Sequence, residues 1–223
     1  MFLSYDGLNL DEIKTLHNSG LINGVTTNLT LVNSAKLESG KSRKEIVLPL
    51  LRYCEDNNLK FSVQVESISP SDIELEAKLL LDLSAKPELF HVKIPANFDN
   101  LQIIHRLAKS GVKVNATCVT SNMQARIVTS SGASIVSFFW GKMYDQGLDP
   151  FVHVSNYRYW ASATLGDKRP TLLVGSVRQI GSIEAAYLAG ADVVTTSFLN
   201  IRNLSNQFAS NAAADSFYLT NLN

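Results

Sequence analysis

A lysine in the middle of an apolar run is the most reactive placement in this sequence. Lys93 lies in FHVKIP, between Val92 and Ile94. Burying an unpaired amine is costly, because desolvation disfavours the ammonium. A free lysine with a pKa of ~10.4 is neutral in roughly one molecule in two thousand at pH 7. Burial that brings the pKa to ~7–8 makes an amine nucleophile for a carbonyl. The alternative is a lysine whose stem is buried and whose head snorkels to water or pairs with Asp6 or Glu66.

Other apolar runs also finish on hydrogen-bonding residues: Asp6, Asn28, Gln64 with Glu66, Asn115 with Thr117, Ser137 followed by Phe139, and Ser176 with Arg178. Members of each pair are two apart, which predicts that they share one side of a strand. Asp6 could move protons beside a lysine Schiff base, or could cap the helix expected at 10. Asn28 and Asn115 are neutral groups for substrate hydroxyls or for nearby backbone. Ser176 and Arg178, in VGSVRQIGS, stand between a strand and a helix. A phosphate could sit there, although a surface ion pair is as natural a use for Arg178. Phe138, Phe139 and Trp140 read as packing rather than as a nucleotide platform, and Cys118 is expected to point away from the interior. His17, His91, His105 and His153 have no metal-ligand spacing, so no metal site is expected among them.

These residues need a frame that gathers strand ends. Four junctions repeat: a helical stretch ends at Gly20, Gly111, Gly132 or Gly190, and a β-branched run follows. Glycine suits the left-handed turn that closes a helix. Strands are expected near 2–6, 24–28, 60–66, 90–95, 113–119, 134–140, 171–177 and 192–198. Helical spacing of apolar residues covers 10–18, 71–83 and 98–108. One long helix is expected around 42–57 within 29–59, and another near 151–163. Eight strands alternating with helices imply a closed barrel or an open doubly wound sheet. The count of eight, the length and the lack of a Gly-rich first turn favour a single-domain (β/α)8 TIM barrel over 1–223, with a helical tail over about 200–223. In that fold the C-terminal strand ends converge on one face, where active sites form.

Composition narrows the class. The chain has 223 residues, is 45% hydrophobic, and balances 20 Lys+Arg against 20 Asp+Glu. Such a chain can fill a core and is not disordered. Zero net charge gives no general attraction for nucleic acid or anionic membrane. No stretch has the ~18–20 consecutive apolar residues of a membrane helix. The opening MFLSYDGLNLDE lacks a basic n-region and an apolar h-region, so no signal peptide is expected. Two distant cysteines, Cys54 and Cys118, suit a reduced, cytoplasmic protein.

The blocks GVTTNLTLV, FHVKIP, VKVNATCV, ASIVSFFWGK and GSVRQIGSIEAAYLAGADVVTT, in this order, resemble the small transaldolases and fructose-6-phosphate aldolases. The resemblance runs from YDGLNLDEI to the strand at 192–198. It implies a (β/α)8 barrel whose lysine forms a Schiff base with a ketose, cleaves C3–C4 and holds a dihydroxyacetone unit. Transaldolases pass that unit to an aldose phosphate, and the aldolases release it. By motif, Lys93 matches the Schiff-base lysine and Asp6 the proton-transfer aspartate. Thr117 and Gln64 match the positions that hold a catalytic water. Asn28, Asn115, Ser137 and Phe139 are expected at the substrate. Ser176, Arg178 and Lys142 are expected at its phosphate. The family also implies homo-oligomers, pentamers or decamers, with the C-terminal helix reaching a neighbour.

The chain departs from the family at several places. TTNP reads TTNL, so Leu29 replaces a turn proline, and Gly-Arg after the sixth strand reads Gly141-Lys142. Lysine keeps the charge but loses the two-pronged guanidinium. Gln64 matches the aldolase branch, whereas Phe139 and Asn115 match transaldolases, and Glu66 is a candidate for the carboxylate that Gln64 replaces. The expected activity is transaldolase. A fructose-6-phosphate aldolase, or a barrel that has lost catalysis and persists as an oligomeric binding protein, are the alternatives.

Overall fold

The structure, a computed structural model, describes residues 2–206 and 208–220. Its eight strands are β1 (Phe2–Asp6), β2 (Ile22–Thr26), β3 (Lys60–Gln64), β4 (Phe90–Pro95), β5 (Val114–Val119), β6 (Ile135–Phe139), β7 (Thr171–Gly175) and β8 (Val193–Thr196). They pair in parallel, in sequence order, and β1 closes on β8. The helices are α1 (Leu10–Asn18), α2 (Leu29–Ser39), α3 (Arg43–Asp56), α4 (Pro70–Leu81), α5 (Phe98–Lys109), α6 (Asn122–Ser130), α7 (Trp140–Asp145), α8 (Pro150–Leu165), α9 (Ile180–Leu188), α10 (Phe198–Ser205) and α11 (Phe208–Thr220). The chain is a single-domain (β/α)8 barrel.

Local chemistry sets these boundaries. Helix starts carry side-chain caps: Asn9 on α1, Asn28 on α2, Ser69 on α4, Asn97 on α5 and Ser121 on α6 each accept from a backbone N–H of the first turn. Ser42 and Glu45 close a reciprocal capping box on α3. At the other ends, Gly20, Gly111, Gly132 and Gly190 turn through φ of 67°, 86°, 94° and 99°, where a side chain would be strained.

The main core lies between barrel and helices. Outward-facing Val63, Val92, Ala116, Val136 and Val174 meet Ile13, Ile73, Ile104 and Val128, all buried. Each of the larger side chains contributes about 1.5–3 kcal/mol by leaving water. Ile135, Leu173 and Val193, on β6–β8, form a separate apolar cluster, while Ser4, Thr26, Ser62, Asn115, Ser137 and Thr195 are buried polar residues of the strands.

Several boundaries differ from expectation: β2 runs Ile22–Thr26 rather than 24–28, and β8 ends at Thr196, short of 198. Segment 29–59 holds two helices, broken at Gly40 (φ 69°). Helix α2 buries only Val32, so it carries little apolar rhythm to read. Strands β3 and β7 stop at Gln64 and Gly175, short of the expected 66 and 177. Residues 207 and 221–223 of the expected tail lie outside the described residues.

Candidate active site

Strand register brings the chemistry together. Lys93 on β4 is level with Gln64 on β3 and with Asn115 on β5. Asp6 is level with Thr26. All five line one cavity of about 560 Å³ at the C-terminal strand ends, with Asn28, Cys118, Ser137, Phe139, Ser176 and Thr195. That size suits a small organic substrate.

Lys93 is 5% exposed. Its Nζ donates to the Thr27 carbonyl at 3.0 Å and stands 6.0 Å from the centre of the Phe139 ring. Burial pushes its ammonium below the ordinary lysine range, and the nearby Asp6 and Cys118 partly oppose that shift. Among the described residues no ion pair joins it to Asp6 or Glu66. The head therefore does not snorkel out, nor does a carboxylate neutralise it at contact. Desolvation dominates, as an amine nucleophile requires.

Asp6 does not cap α1, because Asn9 does. Its Oδ1 accepts from Thr26 Oγ1 at 3.0 Å, and Thr26 shares a 2.7 Å bond with Thr195. Its Oδ2 faces Asn28 Nδ2 at 3.4 Å. Neutral donors thus orient the carboxylate without quenching its charge. Ser137 Oγ donates to Asn115 Oδ1 at 2.6 Å, and Asn115 Nδ2 donates to Ser62 Oγ at 3.2 Å. This chain of bonds fixes which face of the Asn115 amide each neighbour meets.

Thr117, expected beside the lysine, is fully buried and is not among the residues that line the cavity. Cys118, expected outside, instead borders the cavity. The ladder between β5 and β6 shifts register between Ala116 and Val119, and Cys118 takes a left-handed backbone (φ 64°). Strict alternation fails at such a bulge, which re-aims a side chain. Burial raises the Cys118 thiol pKa and Lys93 lowers it. Iodoacetamide should therefore modify Cys118 slowly at neutral pH and faster at alkaline pH, with loss of activity. A ketose in the cavity should protect it. Cys54, fully buried with its thiol pushed up to about 12, should stay unmodified. Peptide mapping after timed alkylation reads both sites, and full activity with Cys118 labelled would contradict its placement.

Three charged residues are not brought into the cavity. Glu66 lies beyond the end of β3, so it no longer follows the parity of Gln64. It meets Lys36 at 3.3 Å and Arg43 at 3.9 Å. Arg43 is also held by Glu76 and by the Gln64 carbonyl. Likewise β7 ends before Ser176, which adopts φ 57°, so Ser176 lines the cavity while Arg178 does not. Arg178 makes a two-pronged pair with Asp145, at 2.7 and 2.6 Å. Lys142, on the exposed side of α7, lies 3.8 Å from the same carboxylate. Asp145 drew no attention in the sequence; only its place three residues after Lys142 hinted at a contact.

Known proteins supply the remaining context. The barrel superimposes with a TM-score of 0.58 on the IMP dehydrogenase/GMP reductase-like protein of Corynebacterium glutamicum, at 14% identity, covering 87% of this chain and 62% of that one. That likeness speaks to fold alone. Sequence relatives say more. A protein of Petrotoga mobilis named probable transaldolase is 35% identical over 205 residues, which are 89% of this chain and 84% of that protein. One of Syntrophobacter fumaroxidans, also named probable transaldolase, is 32% identical over 200 residues, covering 90% and 87%. The profile described as Transaldolase/Fructose-6-phosphate aldolase matches residues 3–220. No helix among the described residues is long and apolar enough to cross a membrane. A barrel with a desolvated lysine at its C-terminal face, and relatives over nearly its whole length, belongs to the transaldolase/fructose-6-phosphate aldolase family.

Proposed function

We propose that the protein is a Schiff-base transaldolase of sugar phosphates. The observation that carries this reading is the buried Lys93 amine, which shares a cavity with Asp6, Gln64 and Asn115. Neutral Lys93 attacks C2 of fructose 6-phosphate or sedoheptulose 7-phosphate to give a carbinolamine. Loss of water gives the iminium, with Asp6 giving the departing hydroxide its proton through a water held by Thr117 and Gln64 and becoming the carboxylate. Asp6 takes the proton of the C4 hydroxyl as the C3–C4 bond breaks. The bonding pair flows into the iminium, leaving an enamine, and an aldose phosphate departs. A second aldose phosphate accepts the three-carbon unit by the reverse steps, and hydrolysis frees Lys93. The iminium is the electron sink, so the reading assigns no role to a metal or an organic cofactor.

Asn28, Asn115 and Ser137 hold substrate hydroxyls, and the Phe139 ring keeps water from the amine. Ser176 with Arg178 and Lys142 receives the phosphate. The reading further places the protein in the cytoplasm and, as the family implies, in a homo-oligomer. Exposure of residues 210–217 along α11 supports that assembly, and sedimentation velocity measures it.

Sodium borohydride with fructose 6-phosphate tests the reading. A stable mass increase on Lys93 is expected, and an intact protein with no adduct would leave a binding protein instead. Gln64 in the cavity favours a second reading, aldolase. Release of free dihydroxyacetone without any acceptor would decide for that reading, and transfer to an added aldose phosphate decides for transaldolase.

A further inference from the structure

Lys93 is the sole cation among the residues lining the cavity. The two other cations that the chain offers for a phosphate both turn to Asp145. Arg178 gives Asp145 its Nη1 and Nη2 as a fork, at 2.7 and 2.6 Å. A phosphate would take the same fork. Lys142 Nζ stands 3.8 Å from Oδ2 of that carboxylate. Asp145 thus occupies the face of Arg178 that a substrate phosphate needs.

The pair can open, because Arg178 and Asp145 are 55% and 42% exposed. Yet the backbone keeps the two ends close. The Gly141 N–H donates to the Ser176 carbonyl at 3.0 Å. A Cβ at Gly141 would lie 2.6 Å from that carbonyl and 3.0 Å from Arg178 Nε. The exits of β6 and β7 therefore touch, and α7 carries Asp145 back over Arg178 from there. A tethered carboxylate at high local concentration is an effective competitor for a dissolved anion.

We infer that Asp145 is a specificity-determining residue. It competes with the substrate phosphate for Arg178, and so narrows the preference for phosphorylated over unphosphorylated ketoses. Donors without a phosphate, such as fructose or dihydroxyacetone itself, are then accepted alongside the phosphate esters. The inference rests on the Schiff-base reading of this cavity and refines its substrate class.

The test is the Asp145→Asn variant, which keeps the shape and removes the charge. Its affinity for inorganic phosphate, read by titration calorimetry, should rise about fivefold, the change that an exposed ion pair can hold back. KM for fructose 6-phosphate should fall to the same degree, with no matching change for fructose. The Arg178→Ala background should erase the gain. A weaker affinity for phosphate in Asp145→Asn would overturn the inference and make Asp145 a support for the arginine. An unchanged affinity would also overturn it, since Arg178 would then not meet the phosphate. The phosphate titration needs no turnover. Failure of the borohydride adduct would sink the Schiff-base reading separately.

Discussion

Lys93→Met should abolish turnover and the borohydride adduct together, leaving only the uncatalysed rate, while the barrel stays folded. Methionine is unbranched and adapts to irregular cores, so it suits a site 5% exposed beside Phe139. What is lost is the one amine lining the cavity and its bond to the Thr27 carbonyl. Stability should respond to pH in a way that reports the same desolvation. Burial lowers the folded-state pKa of Lys93, so between that value and the unfolded value of ~10.4 the unfolded chain binds more protons. Parent stability therefore gains from this residue as pH rises through that window, and the variant lacks the gain. The Tm of the variant minus that of the parent should fall as pH climbs from 7 to 10.5. Parallel Tm curves would mean that the amine is hydrated, and surviving turnover would mean that it is not the nucleophile.

Asp6→Asn should lower kcat by about 10²–10⁴, the usual worth of a positioned acid–base group. The change is nearly isosteric, and the amide oxygen still accepts from Thr26. The substrate contacts proposed for Asn28, Asn115 and Ser137 are left in place, so KM should move far less than kcat. Single-turnover quench experiments would show the C3–C4 cleavage slowed more than adduct formation. A kcat within tenfold of the parent would remove Asp6 from the proton path.

Most of the frame was readable because its signals are local. Each of Gly20, Gly111, Gly132 and Gly190 ends a helix through its own backbone freedom, and runs such as FHVKIP become buried strands without help from distant residues. Lys93, Asp6, Gln64 and Asn115 could be grouped because regular strands and parallel register carry their side chains to one place. The sequence misled where the ladder breaks. Parity placed Cys118 outside, and a register shift with a left-handed residue turned it in. Parity also joined Glu66 to Gln64 and Arg178 to Ser176, although both strands had already ended. The partner of Arg178 was the hardest to foresee. Its bond to Asp145 spans 33 positions and depends on how α7 lies across the exit of β7. No local pattern encodes such a contact.

The Asn28 amide has both its ends in use. Its oxygen accepts from the Leu31 N–H and starts α2, while its nitrogen points at the Asp6 carboxylate. Turning the amide over would present its oxygen to that carboxylate and strip the helix of its first anchor. Aspartate would keep the anchor and set two like charges together, and serine would keep it but reach less far. Scaffold and chemistry therefore share a single group here. Few side chains could do both at position 28, so redesign of the pocket is better begun at Leu29, which lines the cavity and makes neither bond.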